Sequence, residues 1–314
     1  MFARAGHHLG DIWTCVEGGQ VHLFFLNCPT SVERHTRWSI GHATSDNLFH
    51  WTDHGDLFHS DPANPAQSCL STGSVARFGG RYVMGFLANH NTPNPRVIYA
   101  ESDDLAVWRE LPVPGCDLHG SGYGRRGSKP FKNPRWRDPF LFEHDGWLHQ
   151  LMTAADDTLP DDADGVVAHM RTRDLENWEF LPPLNLPPLG TDLECPKLYR
   201  IGDRWVLLVS MFFLLQSPAF NARQPAGLNA NTTFCLTAPV LEGPYTFTGD
   251  ARVLPADVPG GPYACEAVCH RGRWCLLGTC WSDRLGDRIC DPVPLEVTPA
   301  GFRGGAPGNR PPGR

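Results

Sequence analysis

The stretch that decides the fold is residues 202–208, Gly202-Asp203-Arg204-Trp205-Val206-Leu207-Leu208, in which a glycine turn leads into an apolar run. Such a pattern is typical of a tight turn that enters a buried β-strand. Comparable stretches occupy residues 19–25, 80–86, 146–151 and 272–277, at intervals of 57 to 69 residues. A repeat of this length predicts units that bury their apolar faces only against one another.

A second landmark recurs inside the units, since Leu-x-x-Trp stands at residues 48–51, 105–108 and 175–178. In the fourth unit Gly243-Pro244-Tyr245 takes its place. We interpret the landmark as a turn leading into a strand whose Trp covers the edge of its own unit. Each unit then has room for about four strands, so the predicted fold is all-β, a five-bladed β-propeller with four-stranded antiparallel blades. A β-sandwich whose turns match by coincidence is the alternative.

The repeat also sets the expected domain organisation. We expect a single propeller domain at residues 1–303 and no C-terminal β-sandwich, because the sequence ends soon after the fifth unit. Residues 304–314 are rich in Gly, Pro and Arg and are expected to form a disordered tail.

Composition and charge narrow the class of protein further. Among 314 residues, 32 Gly and 29 Pro argue against long helices, and 41% hydrophobic residues argue against disorder. The net charge of −7 comes without a basic stripe, and the sequence lacks an apolar run of about 18 residues, so neither nucleic acid nor a membrane is an expected partner. The first nine residues lack a signal-peptide pattern and the 11 Cys lack a pairing pattern, which predicts a reduced, cytoplasmic chain.

Polar residues recur just before the glycine turns. Counting back ten residues from the strand landmark leads to Asp11, Thr72 and Asp138, while Glu194 lies eleven and Glu266 eight residues before theirs. The first strand of each propeller blade lies at the central axis, so equivalent positions on these strands converge on one pocket. We therefore expect the three carboxylates from blades one, three and four to face one another.

Three converging carboxylates suit the hydrolysis of a glycoside. One carboxylic acid protonates the leaving oxygen, and one carboxylate attacks the anomeric carbon or activates water. Crowding of like charges separates their pKa values, so that one group stays protonated while another is ionised. Glu194 is the most informative of the three, because a charge between Leu193 and Cys195 at the start of an apolar strand is costly unless it is needed.

At these residues the sequence resembles the five-bladed propeller glycoside hydrolases, and among them glycoside hydrolase family 32, which contains invertases, fructanases and fructosyltransferases. Residues 136–140, Trp-Arg-Asp-Pro-Phe, are similar to the family's Arg-Asp-Pro motif, and Glu194-Cys195-Pro196 is similar to its Glu-Cys-Pro motif. Residues 41–51 resemble outer strands of its first blade, residues 71–74 its Ser-Gly-Ser stretch, and Tyr263-Ala264 its fifth-blade Tyr-Ala. The resemblance extends over about residues 8 to 300.

The resemblance implies a role for each acid. Asp11 corresponds to the nucleophile, Glu194 to the general acid/base and Asp138 to the transition-state stabiliser, while Arg137 hydrogen-bonds substrate hydroxyls. The implied reaction is a double displacement with retention of configuration through a covalent glycosyl-enzyme. This chemistry requires no metal and no cofactor.

The sequence departs from the family around the first acid. The family's Asn-Asp-Pro-Asn-Gly is replaced by Gly10-Asp11-Ile12-Trp13, its substrate-binding Gln by Leu26, and its Trp-Gly-His by Ile40-Gly41-His42. These changes affect the pocket for a terminal fructose. The catalytic frame therefore carries over better than the fructose specificity.

Several further residues are candidates for substrate binding. Together with Arg137, these candidates are Trp13, Ser71, Thr72, Asn89, His90, Tyr263 and Glu266. The acidic run at residues 156–164 is interpreted as a solvated loop rather than a calcium site. The expected partner is a small oligosaccharide or glycoside.

Three functions remain open at this point. The first is a retaining furanosidase that acts on β-fructofuranosides such as sucrose or short fructans. The second is an inverting arabinofuranosidase or xylosidase of the related family 43 type, in which Asp11 would activate water. The third is a catalytically inactive propeller that binds carbohydrate. The sugar, its linkage and the choice between water and a sugar as acceptor are not encoded in a recognisable pattern.

Overall fold

The computed structural model describes residues 1–64, 67–88, 92–93, 95–128, 132–224, 231–247, 250–254, 261–281 and 287–304. They form five antiparallel sheets, one for each repeat unit. The first strands of successive sheets contact one another in a closed ring, and the last of them returns to the first. This arrangement is a five-bladed β-propeller and confirms the predicted fold class. Of the predicted tail at residues 304–314, Gly304 belongs to a strand, and residues 305–314 lie outside the described residues.

The strands of the first three blades follow one another from the axis outward. Blade one contains β1 (His7–Glu17), β2 (Gln20–Pro29), β3 (Ser39–Ser45) and β4 (Thr52–Phe58). Blade two contains β5 (Leu70–Phe78), β6 (Arg81–Ala88), β7 (Arg96–Ser102) and, both paired with β7, β8 (Arg109–Glu110) and β9 (Cys116–Asp117). Blade three contains β10 (Arg137–His144), β11 (Trp147–Ala155), β12 (Gly165–Thr172) and β13 (Glu179–Leu181).

Like blade two, which has five strands, the last two blades depart in their described residues from the expected count of four strands. Blade four contains β14 (Glu194–Ile201), β15 (Arg204–Met211) and β16 (Thr232–Ala238), with a 3₁₀ turn at Phe213–Leu215 and the short helix α1 at Pro218–Asn221. Isolated bridges to Thr246 and Arg252 stand where its fourth strand was expected. Blade five contains β17 (Tyr263–His270), β18 (Arg273–Cys280), β19 (Arg288–Ile289), β20 (Val293–Thr298) and β21 (Gly301–Gly304).

Both sequence landmarks are turns at fixed places in a blade. The glycine turns join the first strand to the second, and Gly19 and Gly80, with φ of +84° and +82°, adopt the left-handed backbone that glycine tolerates best. Leu-x-x-Trp precedes the fourth strand. Its Leu48 and Leu105 have positive φ, and the indole N–H groups of Trp51 and Trp108 donate to their carbonyls at 3.2 and 3.0 Å.

The hydrophobic core lies between neighbouring blades rather than inside any one of them. Trp13 and Phe86, for example, belong to one buried cluster shared by blades one and two, and Leu151 and Leu207 to one shared by blades three and four. Fully burying a side chain of this size contributes about 1.5–3 kcal/mol. A blade therefore depends on both of its neighbours, as the repeat predicted.

The ring closes between blades one and five without the exchange of a strand. Blade one consists entirely of N-terminal strands and blade five of C-terminal ones. Phe2 forms a β-bridge with Ile289, the Thr279 hydroxyl donates to the carbonyl of Gly10, and the Trp281 indole donates to the carbonyl of Leu9 at 3.1 Å. We call this contact the closing seam.

The first strand of every blade contains a β-bulge at the same height. In each case two residues stand opposite one residue of the second strand, because the register shifts there. We call these pairs the axial bulges: Gly10–Asp11, Ser71–Thr72, Asp138–Pro139, Cys195–Pro196 and Ala264–Cys265. Bulges re-aim side chains, and these five surround the axis.

None of the helices in the described part of the chain is long and apolar enough to cross a membrane.

Candidate active site

A cavity of about 440 Å³ opens above the axial bulges. All five blades contribute to its wall through residues in or next to the bulges: Gly10, Asp11, Ser71, Thr72, Arg137, Asp138, Glu194, Cys195 and Tyr263. The rest of its lining is Leu26, His35, Trp38, Lys132, Asn133, Pro134, Phe212 and Trp281. The structure thus brings the three predicted carboxylates together in one pocket.

Counting back from the turns predicted equivalent positions for the three carboxylates, but the structure places them at different positions relative to the bulges. Glu194 directly precedes its bulge, Asp138 is the first residue of its bulge, and Asp11 is the second residue of its own. Blades one and two have one more residue between bulge and turn than the other blades. The same count of ten residues therefore reaches the second bulge residue in these two blades and the first bulge residue in blade three. The three side chains nevertheless meet, because the bulges change the direction of the strands at these positions and turn the side chains toward the axis.

Asp138 is fixed by groups from two blades. Its Oδ2 accepts hydrogen bonds from the Thr153 hydroxyl at 2.9 Å and from the backbone N–H of Cys195 at 3.0 Å. Asp138 and Cys195 both have left-handed backbone, with φ of +59° and +49°. Such conformations are costly for residues other than glycine and persist where the surroundings hold them. The two bulges hold each other in place.

Asp11 accepts a hydrogen bond from the Thr72 hydroxyl at its Oδ2. Burial, followed by the nearby Asp138, raises the pKa of the Asp11 carboxyl, whereas Thr72, Lys197 and Cys195 act to lower it. Both carboxylates and the Cys195 sulfur lie within 4.8 Å of one another. The ionisation of Asp11 therefore depends on the balance between the groups that raise its pKa and the groups that lower it.

Glu194 is held from two sides. Its Oε1 accepts a hydrogen bond from the Arg137 guanidinium at 3.0 Å, and its Oε2 accepts one from the Tyr263 hydroxyl. Burial raises the pKa of Glu194 to about 7, although Arg137 and Tyr263 act against the increase and Asp138 adds to it. A carboxyl with this pKa is partly protonated in neutral solution and can donate a proton as an acid.

Arg137 is anchored by Asp192, a residue that sequence reasoning missed. Asp192 is 0% exposed and accepts a hydrogen bond from the guanidinium that also contacts Glu194. Although burial acts to lower it, the carboxylates of Asp192, Glu194 and Asp138 hold the pKa of Arg137 well above its ordinary value. Alternation along an extended segment places residues 192 and 194 on one side, which is a signal that the sequence did contain.

Of the eight predicted binding residues, four line the pocket, two lie outside the described residues and two lie elsewhere in the fold. Ser71, Thr72 and Tyr263 line the cavity together with Arg137. Asn89 and His90 lie outside the described residues.

Trp13 and Glu266 do not line the pocket, contrary to prediction. The Trp13 side chain is 1% exposed and stacks on Phe24 with ring centroids 6.1 Å apart, because the bulge that presents Asp11 leaves Trp13 in the core between two blades. Glu266 follows its bulge and lies deeper, where it accepts hydrogen bonds from the backbone N–H and hydroxyl of Thr14 at 3.0 and 2.6 Å.

The rim of the pocket is aromatic and comes largely from residues next to the strand ends. Phe212 stacks on Tyr263 with ring centroids 4.8 Å apart, and Trp281 lies 5.5 Å from the same ring. The Trp38 indole, which precedes β3, donates to His35 at 3.3 Å. Phe212 and Trp281 each directly follow the second strand of their blade, at equivalent positions, so an alignment of the repeat units could have found them.

Among the described residues, potential metal-ligand atoms converge only at Asp11, Asp138 and Cys195. Burial raises the pKa of the Cys195 thiol well above its ordinary value, so this side chain is a neutral thiol in the pocket. In the acidic run at 156–164, residues 157–162 are exposed, as predicted, whereas Asp164 is buried and paired with Arg135 at 2.6 Å.

Comparison with known proteins places this architecture in a family. The model for the glycosyl hydrolases family 32 N-terminal domain matches residues 14–235, a segment that includes Asp138 and Glu194 and begins just after Asp11. Invertase 1 of Saccharomyces cerevisiae is 25% identical over 246 residues, which cover 71% of this chain and 41% of that protein. A sucrose-6-phosphate hydrolase of Zymomonas mobilis subsp. mobilis is 26% identical over 211 residues, covering 61% and 38%. The chain thus spans about two-fifths of the length of these curated relatives.

Solved structures support the same fold. An inulosucrase from Halalkalicoccus jeotgali bound to kestose superposes with a TM-score of 0.73 at 20% identity, covering 96% of this chain and 88% of that one. A levansucrase of B. megaterium gives 0.74 at 12% identity, with 95% and 84% covered. The sucrose-6-phosphate hydrolase from Lactobacillus gasseri gives 0.72 at 19% identity, with 95% and 62% covered.

Proposed function

Because the chain belongs to glycosyl hydrolase family 32, we propose that it is a retaining, β-fructofuranosidase-like glycosidase that works in the axial pocket. The observation that carries this proposal is the setting of Glu194. Its carboxyl has a pKa of about 7, contacts Arg137 and Tyr263, and shares the pocket with Asp11 and Asp138. An acid that is partly protonated in neutral solution, next to other carboxylates, is the requirement of glycoside cleavage.

The reaction proceeds in two displacements. An oxygen of Asp11 attacks the anomeric carbon, the bond from that carbon to the leaving oxygen breaks, and Glu194 transfers its proton to that oxygen. The resulting ester joins the sugar to Asp11. Glu194, now ionised, removes a proton from water, the water oxygen bonds to the anomeric carbon, and the Asp11 carboxylate is released with configuration retained.

The neighbouring groups prepare these steps. Asp138, fixed by Thr153 and the Cys195 amide, places a carboxylate that binds sugar hydroxyls and stabilises positive charge at the anomeric carbon. Arg137 binds sugar hydroxyls while it holds Glu194 in position. The Thr72 hydroxyl orients Asp11 for attack.

The proposed substrates are β-fructofuranosides such as sucrose or short fructans. In support, the similar proteins are named an invertase and sucrose-6-phosphate hydrolases, and one solved structure of the same fold is an inulosucrase bound to kestose. The aromatic rim formed by Phe212, Tyr263 and Trp281 suits the apolar face of a sugar ring.

The decisive experiment is a product analysis. Purified protein is incubated with sucrose, kestose, inulin oligosaccharides and aryl arabinofuranosides, and the released sugar and its anomer are identified by NMR. Fructose released initially as the β anomer supports the proposal, and Asp11→Asn should abolish the release. Release of arabinose without fructose would overturn it.

One observation favours a second candidate function. Beside Asp11 the wall is formed by Gly10, Leu26 and Trp38, and a Cβ at residue 10 would lie 2.9 Å from the Cβ of Leu26. This part of the wall offers a sugar little hydrogen bonding from side chains. It favours a carbohydrate-binding propeller without turnover. Sugar binding with no release of product from any of the substrates identifies this function.

We further infer that the propeller at residues 1–303 is the catalytic unit and that it works in the cytoplasm. All 11 Cys are free thiols, eight of them buried, which suits a reducing compartment. Fractionation of the native cells tests the cytoplasmic location. Activity of a chain that ends at residue 303 tests whether the propeller is the catalytic unit.

A further inference from the structure

A second set of charged residues lies one position deeper than the carboxylates. The residues that follow the five axial bulges are Ile12, Gly73, Phe140, Lys197 and Glu266. They occupy equivalent register positions, so they form one layer beneath the pocket. Three are apolar or glycine, and the remaining two, on the adjacent β14 and β17, carry opposite charges.

Lys197 and Glu266 are buried and paired with each other. Lys197 is 2% exposed, and its Nζ lies 3.2 Å from Oε2 of Glu266 and 5.6 Å from the ring centroid of Phe140. The other carboxylate oxygen of Glu266 accepts the backbone N–H and hydroxyl of Thr14. Buried charges are costly, so a pair retained beneath a pocket invites a functional explanation.

Lys197 is a cation whose charge acts on Asp11. The charged and titratable groups near Asp11 in the described residues are Asp138 and Arg137 on β10, Glu194, Cys195 and Lys197 on β14, Tyr263 and Glu266 on β17, and His35 and Lys132, which also line the pocket. Arg137 is engaged by Asp192, Glu194 and Asp138. Lys197 has only Glu266 as an ion-pair partner within 4.0 Å in the described structure, and its charge also acts on Asp11.

We propose that Lys197 is a positioning residue that stabilises the negative charge of Asp11 from below the pocket, with Glu266 setting how much of the lysine charge is available. This inference rests on the proposed function, in which Asp11 must be ionised to attack the anomeric carbon. Burial and Asp138 raise the pKa of Asp11, and attraction by Lys197 opposes them. Loss of the lysine charge therefore raises that pKa, and loss of the glutamate charge lowers it.

The test is the pH profile of kcat/KM for the full chain on sucrose. Lys197→Met should move the acidic limb upward by about one pH unit, which is about a tenfold loss of activity below the limb. Glu266→Gln should move the same limb downward, and Lys197→Arg should return it close to the wild-type position. A merely structural role would lower activity at every pH and in the same direction for both charge-removing variants. Limbs that stay in place, or that move together, overturn the proposal.

A direct titration separates this inference from the proposed function. The aspartate carboxyls are labelled with 13C, and the Asp11 signal is assigned by its loss in Asp11→Asn. The midpoint for Asp11 should rise in Lys197→Met and fall in Glu266→Gln, even if wild type hydrolyses none of the sugars. Circular dichroism checks folding. If Lys197→Met does not fold, the direction of the shift in Glu266→Gln decides, and an unchanged or raised midpoint overturns the proposal.

Discussion

The backbone N–H of Cys195 donates a 3.0 Å hydrogen bond to Oδ2 of Asp138, so the bulge of blade four holds a carboxylate of blade three. Both residues have left-handed backbone, and the Thr153 hydroxyl completes the contact on Asp138 at 2.9 Å. The position of one acid therefore depends on the packing of two blades, and small changes at their contact should alter chemistry more than stability.

Asp138→Asn tests the role of this carboxylate. The amide keeps the shape but loses the negative charge, so stabilisation of the positively charged transition state is lost. We expect kcat to fall by about 10²–10³-fold, as for other removals of a charge-stabilising group. Steady-state kinetics on sucrose measure the change, with Thr153→Val as a control that loosens Asp138 and keeps its charge. Equal losses in both variants would show that orientation alone matters.

Glu194→Gln tests the acid. Without a proton to donate, cleavage of sucrose should fall by about 10²–10⁴-fold, the usual contribution of general acid catalysis. Fructosyl fluoride has a leaving group that needs no proton, so formation of the covalent intermediate should be largely retained with it. A stopped-flow burst of fluoride measures this step. If both substrates lose activity equally, Glu194 is not the acid.

Tyr263→Phe should move the basic limb of the pH profile. Activity requires protonated Glu194, so it is lost as pH rises through the pKa of about 7. The Tyr263 hydroxyl acts to lower that pKa, and its removal should therefore move the limb to higher pH. The measurement is kcat/KM from pH 5 to 9. A limb that moves to lower pH contradicts the assignment.

Asp192→Asn should weaken both the fold and the site. Asp192 is completely buried against Arg137, and losing its charge leaves the guanidinium less compensated, at a cost of about 1–3 kcal/mol in the free energy of unfolding. Arg137 and burial act in opposite directions on the pKa of Asp192, and the net effect is a lowered value. Its stabilisation is thus present above the ordinary aspartate pKa and is lost as pH falls below about 4. Urea unfolding at pH 7 and pH 3.5 measures both effects, and a variant as stable as wild type at pH 7 would contradict them.

Acid should destabilise the fold through a buried histidine pair in blade three. Nδ1 of His149 and Nε2 of His169 lie 2.8 Å apart, and burial lowers the pKa of these residues to about 4 and about 3. The unfolded chain binds protons near pH 6.5 and the folded chain does not, so stability falls as pH drops below about 6.5. Thermal melts from pH 7 to 4.5 measure the decrease, and His169→Gln should reduce its slope. An unchanged slope assigns the acid sensitivity elsewhere.

The fold was predictable because its signals are local and periodic. Turns such as the one at Gly80 have a left-handed backbone conformation that glycine tolerates best, and a glycine of this kind recurs once per blade. The number of strands was less predictable, since in the described part of blade four isolated bridges at Thr246 and Arg252 stand where a fourth strand was expected.

The site was predictable only as far as the bulges. The repeat predicts that Asp11, Asp138 and Glu194 lie at the axis. Because the hairpins differ in length by one residue, counting from the turns does not show that the three acids occupy different positions relative to the bulges. The placement of Trp13 and Glu266 in the pocket lining was mispredicted for a related reason. A bulge changes which side of the strand faces the axis, and counting along the sequence assumes that the alternation is regular.

The closing seam ties catalytic competence to the integrity of the ring. Asp11 lies next to Gly10, whose carbonyl is held across the seam by Thr279, and within the described residues no strand is shared across that joint. Separation of the first and last blades would displace Asp11, the proposed nucleophile, while the three central blades kept their mutual packing. During heating or mild proteolysis, inactivation is therefore expected to precede the loss of β-structure, so that catalytic half-life reports on the joint rather than on the blades.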